Sequence, residues 1–168
     1  KQLHSGEGSL TVGGGSNGLV QADAAIGLGN DKHNLSISVS TESSDGFNAY
    51  TTDPFPYDIN EDDDDGYERF SVSAVGNSQL TNSISLHLVS RFESGNSEFD
   101  ASYPDSPCWF DDTLACPAFY ANEQDHENYS VKLASRYQAD NLFSELAIAT
   151  SQDEAENFGN DTVPSTIS

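Results

Sequence analysis

The sequence predicts an all-β chain: about seven antiparallel strands in up-and-down order, forming part of a transmembrane β-barrel. Three observations carry that expectation. Segments of about eleven residues alternate apolar with small or polar residues, and that length crosses a bilayer when the strand is tilted. The connections alternate short and long, as the turns and loops of outer-membrane barrels do. Hydrophobic content is 35%, low for a chain that must bury a three-dimensional core. The apolar residues are nonetheless spaced too regularly for disorder.

Each element follows from its pattern. Residues 8–14 (GSLTVGG) give a short strand with Leu10 and Val12 on one face, and GSNG at 15–18 gives a turn. Residues 19–28 place Val20, Ala22, Ala24, Ile26 and Leu28 opposite Gln21, Asp23, Ala25 and Gly27. GNDK at 29–32 is a tight turn. Residues 33–44 set Leu35, Ile37 and Val39 against Ser36, Ser38 and Ser40. After a long acidic loop, residues 67–77 carry Phe70, Val72 and Ala74 on one face, and 77–82 turn the chain. Residues 83–97 alternate Ile84, Leu86, Leu88 and Phe92 against Ser85, His87 and Arg91. A second long loop is expected over 98–127. Residues 128–138 then place Tyr129, Val131, Leu133 and Tyr137 opposite Ser130, Lys132 and Arg136. QADN at 138–141 is a turn, and residues 142–152 give the last strand, with Leu142, Leu146 and Ile148 opposite Glu145. The tail from Asp153 reads as irregular.

The polar face carries Asp23, His87, Arg91, Lys132, Arg136 and Glu145. On a lipid face each charge would cost about 2–4 kcal/mol near the midplane. That fixes the register, because a slip of one residue would turn the whole set into lipid. Tyr129, Tyr137, Phe70 and Phe92 fall near strand ends, where an interfacial aromatic girdle would sit. Ordinary strand propensity accounts equally well for any one of them.

Net charge is −22. That argues against nucleic acid and anionic lipid headgroups as partners, since both need basic surface. Eight acids fall within 45–66, eight within 98–127 and four beyond 152, so twenty of the 28 lie outside the patterned strands. Carboxylates at this density repel unless water, salt or a bound cation screens them. A solvated loop, a cation site and diffuse cation bridging to lipopolysaccharide all remain open. Cys108 and Cys116 lie in one expected loop without a neighbouring His. A disulfide closing a short loop fits them better than a metal site, with free thiols as the alternative. The chain opens on Lys1 with no signal peptide, and it reads as an internal piece of a longer protein. No GxSxG, HExxH or P-loop occurs, so no enzyme is expected.

Four stretches in order carry a family resemblance: KQLHSGEGSLTVGGGSNG, SVSTESSDGFNA, DDDDGYERFSVSA and NSEFDASY. With them the chain resembles the first third of the barrel of TonB-dependent outer-membrane receptors, especially those of the cobalamin-transporter type. The resemblance covers nearly all of residues 1–168, which would form a partial barrel domain. It implies a 22-stranded barrel in the bacterial outer membrane, contributing about seven strands here, with the plug absent. It also implies import of cobalamin, an iron siderophore or a similar scarce ligand. Energy would come from TonB acting through the missing N-terminal plug, and outer-membrane lipid and lipopolysaccharide would surround the barrel.

Members of the cobalamin type bind calcium between two extracellular loops. Their D-x-D-G-[FY] element reads here as Asp63, Asp64, Asp65, Gly66 and Tyr67. An acid of a second element falls on Asn48, a departure that leaves a weaker ligand. A third element matches Phe99, Asp100, Ala101, Ser102 and Tyr103, and a further acid corresponds to Asp125. The resemblance therefore implies calcium at Asp63, Asp65 and Asp100, with Asp125 and Asn48 beside them. Hard oxygens in number are what calcium takes. A passive outer-membrane porin and a secreted calcium-binding β-protein are the competing readings.

Overall fold

The computed structural model describes residues 5–48, 64–100, 121–158 and 165–167. Eight strands form one antiparallel sheet: β1 (Gly8–Gly14), β2 (Val20–Gly29), β3 (His33–Ser44), β4 (Tyr67–Gln79), β5 (Ile84–Asp100), β6 (Ala121–Ala139), β7 (Leu142–Phe158) and β8 (Ser165–Ile167). Their order in space is their order in the chain. Every neighbouring pair is antiparallel. No helix occurs among the described residues.

The register keeps the two faces chemically separate. One cross-strand row runs Leu28, Leu35, Gly76, Leu88, Leu133, Ile148 across β2 to β7. A row on the other face runs Gln21, Glu42, Arg69, Gly95, His126, Ala155. Because side chains alternate along a strand, these assignments propagate over the sheet. The four strand cations Arg69, Arg91, Lys132 and Arg136 all fall on the polar face. The polar face is also the more enclosed. Asp23, Ala25 and Gly27 are half-buried or buried, while Ala24, Ile26 and Leu28 are exposed. The sheet therefore curls toward its polar side.

The described residues form no packed core. Ala134, at 2% exposure, is the sole buried hydrophobic among the described residues, whereas Leu10, Leu146 and Ile148 are about three-quarters exposed. A second sheet packed on the apolar face would have covered them. None does among the described residues, so the reading of a soluble sandwich loses its main requirement.

The seven expected strands are all present, but three details need correction. Residues 98–127 are not all loop, because β5 runs to Asp100 and β6 begins at Ala121. The segment after Asp153 is not irregular, because β7 continues to Phe158. A three-residue strand, β8, adds to the seven, so it forms the second edge in place of residues 142–152. The cause is common to all three. These extensions carry polar residues on both faces, so they lack the apolar alternation that marks a strand in sequence. Backbone pairing alone defines them. The first connection is also distinctive: the turn at 15–18 lies at the same end of the sheet as the loop 45–66, with the Asp45 amide donating to the Asn17 carbonyl at 3.0 Å.

Candidate functional site at the loop-bearing rim

The rim of long connections is where the feet of the acidic loop are tied together. Asn17 and Gly18 both have positive φ, 56° and 64°, as a two-residue hairpin turn twisted with its strands requires. The Asn17 carbonyl then accepts hydrogen bonds from the Asp45 amide and from Ser44 Oγ, the latter at 2.8 Å. Across the loop, the Asn48 amide donates to Asp64 Oδ1 at 2.9 Å. Gly46 has φ 76°, and a side chain there would run into the Asp65 carbonyl. Gly66 joins the loop to β5: its amide donates to Glu98 Oε2 at 3.1 Å, and its carbonyl accepts from the Glu98 amide at 2.9 Å.

The residues implied as calcium ligands are distributed unevenly around these ties. Asp63 lies outside the described residues, as do Cys108 and Cys116. Asn48, Asp64 and Asp65 come together at the foot of the loop. Asp100 closes β5 opposite Ala121. Asp125 sits elsewhere. It faces outward on β6, where Asn96 Nδ2 donates to its Oδ1 at 2.7 Å, and it pairs with Glu156 on β7. Extending the Tyr67–Ser97 register by two residues puts Asp65 level with Phe99, which pairs with Asn122. Asp125 lies three residues further along β6, about 10 Å away in the strand direction alone. The structure does not bring it to Asp65. Its place is fixed because residues 121–127 are strand, not a loop free to fold across. Two carboxylates that the sequence did not single out as ligands, Asp64 and Glu98, stand at the loop foot instead. Among the described residues no three acid, His or Cys side chains converge as a metal site. The donors gathered at the rim are hard oxygens, which suit calcium and not a soft metal.

Below the rim the polar face is a connected network. Tyr67 donates its hydroxyl to Glu42 Oε1 at 2.7 Å, and Arg69 lies 3.7 Å from the same oxygen. The hydrogen bond to Glu42, with burial and the carboxylate's charge, holds the Tyr67 phenol above its usual range. Asp23 accepts from Ser40 at 2.5 Å and from Gln21 at 3.1 Å. Toward the short turns, Glu145 takes both Arg136, at 2.6 Å, and Lys132, at 3.7 Å. Arg136 Nη1 also reaches His87 Nε2 at 3.3 Å, and His87 Nδ1 bonds Asn77 Oδ1. Arg136 can only donate, so His87 accepts at Nε2 and carries its proton on Nδ1. Charged groups satisfied in this way on an open face belong beside water or another polar body.

The apolar face carries an aromatic and hydroxyl border at both ends. Phe92 pairs with Tyr129, whose hydroxyl donates to Gln152 at 2.7 Å. Tyr137 pairs with Ile84 near the short turns. The two tyrosines stand eight positions apart on β6, about 26 Å along the strand, which at a tilt of roughly 40° covers about 20 Å of the roughly 25 Å outer-membrane apolar band. Above Tyr129 the same face changes at once to Glu127, Asp125 and Glu123.

A sheet that is apolar and uncovered outside, polar and ion-paired inside, and bounded by aromatic side chains is a wall of an outer-membrane β-barrel. Over 151 residues, 89% of the chain, the sequence is 29% identical to the vitamin B12 transporter BtuB of Photobacterium profundum. The chain spans 22% of the length of that curated relative. The likeness bears out the resemblance to TonB-dependent receptors of the cobalamin-transporter type, and it is to a transporter rather than to an enzyme. No family model matches the chain, and no solved structure matches it.

Proposed function

We propose that residues 1–168 form part of the barrel of an outer-membrane receptor that imports cobalamin with energy supplied through TonB. The observation that carries the reading is the likeness to a vitamin B12 transporter over 89% of the chain. The polar face supports it, because a barrel that houses a plug needs an inner wall of satisfied charges such as Arg136–Glu145 and Arg69–Glu42. TonB would engage through a plug domain outside this chain. The outward carboxylates above Tyr129 would meet lipopolysaccharide through divalent cations. Uptake of labelled cyanocobalamin tests the reading, in cells whose own receptor is deleted and that express the complete protein. Uptake that vanishes without TonB is expected. Uptake of ferric siderophores instead would change the cargo, and TonB-independent leakage of small solutes would replace the importer by a passive porin.

Calcium belongs to the same proposal. Asp63, Asp65 and Asp100 would supply its ligands, with Asn48 beside them and the loop foot already drawn together by the Asn48–Asp64 hydrogen bond. Binding would hold the feet of the two acidic loops together before cargo arrives, lowering the entropy lost on capture. Calorimetric titration of the complete receptor should show saturable calcium binding that Asp65→Ala and Asp100→Ala each abolish and Asp153→Ala leaves intact. A weak response that falls equally with any acid removed would point to diffuse screening and end the proposal.

A further inference from the structure

The outward row Leu28, Leu35, Gly76, Leu88, Leu133, Ile148 is a ridge of large side chains with one gap, at Gly76. The gap opens into a groove of about 370 Å³ on the apolar face, walled by Leu28 and Leu35 on one side and by Leu86, Leu88 and Leu133 on the other. A side chain could stand at Gly76, because a Cβ there would meet Leu35 Cδ1 at 3.4 Å and Leu88 Cβ at 3.6 Å. The groove is therefore a consequence of this residue and not of backbone crowding. Its end toward the short turns is polar. His33 and Ser78 line it and bond each other, Nδ1 to Oγ, at 2.7 Å. Lys32 adjoins them in the turn, its carbonyl accepting from the Gln79 amide at 2.7 Å.

Lys32 stands apart electrostatically. Arg69, Arg91, Lys132 and Arg136 each hold an ion pair. Among the described cations, Lys32 alone has none. Lys32 is exposed in the turn between Asp31 and His33. A cation without an ion pair thus adjoins the polar end of an apolar groove that faces hydrocarbon, a local exception to the chain's net charge of −22. That combination is complementary to one class of molecule, an amphiphile with an anionic head and an alkyl chain. The short-turn end of an outer-membrane barrel faces the periplasm, where the surrounding leaflet is phospholipid.

We propose that this groove is a binding site for a phospholipid of the periplasmic leaflet, with one acyl chain lying over Gly76 between the leucine walls and the phosphate at Lys32, His33 and Ser78. The proposal rests on the membrane-barrel reading above. Cation and apolar contact act together, so neither a free phosphate nor a bare hydrocarbon would be held as well.

Native mass spectrometry of the complete receptor in detergent tests this, with palmitoyl-oleoyl-phosphatidylglycerol and the headgroup-free palmitoyl-oleoylglycerol as probes. Phosphatidylglycerol retention is expected to fall at least fivefold in Gly76→Leu, which fills the groove. Lys32→Glu should lower it similarly while leaving retention of the headgroup-free lipid unchanged. Gly76→Leu adds its side chain toward lipid, so folding should persist, read by heat-modifiable gel mobility. Val12→Leu, on the same face but distant, should retain lipid as the unmodified protein does. Retention unaffected by Gly76→Leu, lost equally in Val12→Leu, or replaced by tightly held lipopolysaccharide would overturn the groove as a phospholipid site. If the unmodified protein failed to insert into vesicles at all, the barrel reading itself would fall, and the groove proposal with it.

Discussion

A single side chain in this sheet has its environment set by parity. Lys132 and Leu133 are adjacent on β6, yet Lys132 pairs across the sheet with Val89 and Ala149 while Leu133 pairs with Leu88 and Ile148. The first position meets Glu145 and water, the second hydrocarbon. Leu133→Lys should therefore destabilise the inserted receptor by about 2–4 kcal/mol, the cost of a basic side chain near the membrane midplane. Ser71→Lys, on the inward face directly across from Glu93, should cost little, because water and that carboxylate screen it. Denaturant unfolding from vesicles measures both, and equal losses would mean that the faces are assigned wrongly. This parity was legible in the sequence at nearly every strand position. It was less legible for Val89 and Phe143, large apolar residues that fall on the polar face. Nothing in a single sequence distinguishes an inward Val from an outward one when its neighbours are mixed. The rim contacts of Asp64 and Glu98 were illegible for another reason: they depend on the pairing of two strands far apart in the chain, and the D-x-D-G-[FY] pattern directs attention to the first and last of its acids.

At the scale of elements, the legible strands are those that touch lipid. β2, β3 and the central parts of β4 to β7 alternate because one face must be apolar over the bilayer's thickness. Once β6 passes Tyr129 toward the rim, both faces meet water, and NEQDHEN at 122–128 carries no apolar residue to betray a strand. The continuation is stabilised by the backbone ladder from Asn128 up to Ala121 against β5. The turn at 15–18 was legible outright, since Asn-Gly is the strongest short-range hairpin signal. Its role at the rim was not. Gly18 has φ 64°, and a Cβ there would run into the Asp45 carboxylate. Gly18→Val should thus cost about 1–2 kcal/mol from the left-handed backbone alone. It should also loosen the foot of the 45–66 loop, because Asp45 is held by Asn17. Faster proteolytic cleavage within 45–66, together with lowered unfolding stability, is the expected pair of results. Asn17→Gly, which keeps both left-handed positions accessible, should change neither, and cleavage unaltered in Gly18→Val would separate the turn from the loop.

For the whole molecule, the decisive quantity is what remains exposed. Among the described residues, large apolar side chains line one face from Leu10 to Ile148 with nothing over them, and there is a single buried apolar group in return, Ala134. The backbone ladder holds such a sheet together only while its apolar face is solvated by hydrocarbon, because in water that face is an association surface far larger than a monomer tolerates. The edges add to this. Among the described residues, β1 pairs on one side only, and β8 offers three paired residues against β7, so the sheet can extend onto other copies. The charge of −22 opposes association, but it resides largely at the rim and loops, while the lipid-facing band between Tyr129 and Tyr137 is uncharged on its outer face. Charge at one end cannot shield apolar surface at the other beyond the roughly 8 Å over which it acts in physiological salt. The 168-residue chain refolded without detergent should therefore sediment as polydisperse oligomers, and detergent micelles or the remaining barrel strands should be needed to keep it dispersed. A detergent-free monomer with a sharp, cooperative thermal transition would require a buried core that this sheet does not have, and would return the chain to the class of soluble β-proteins.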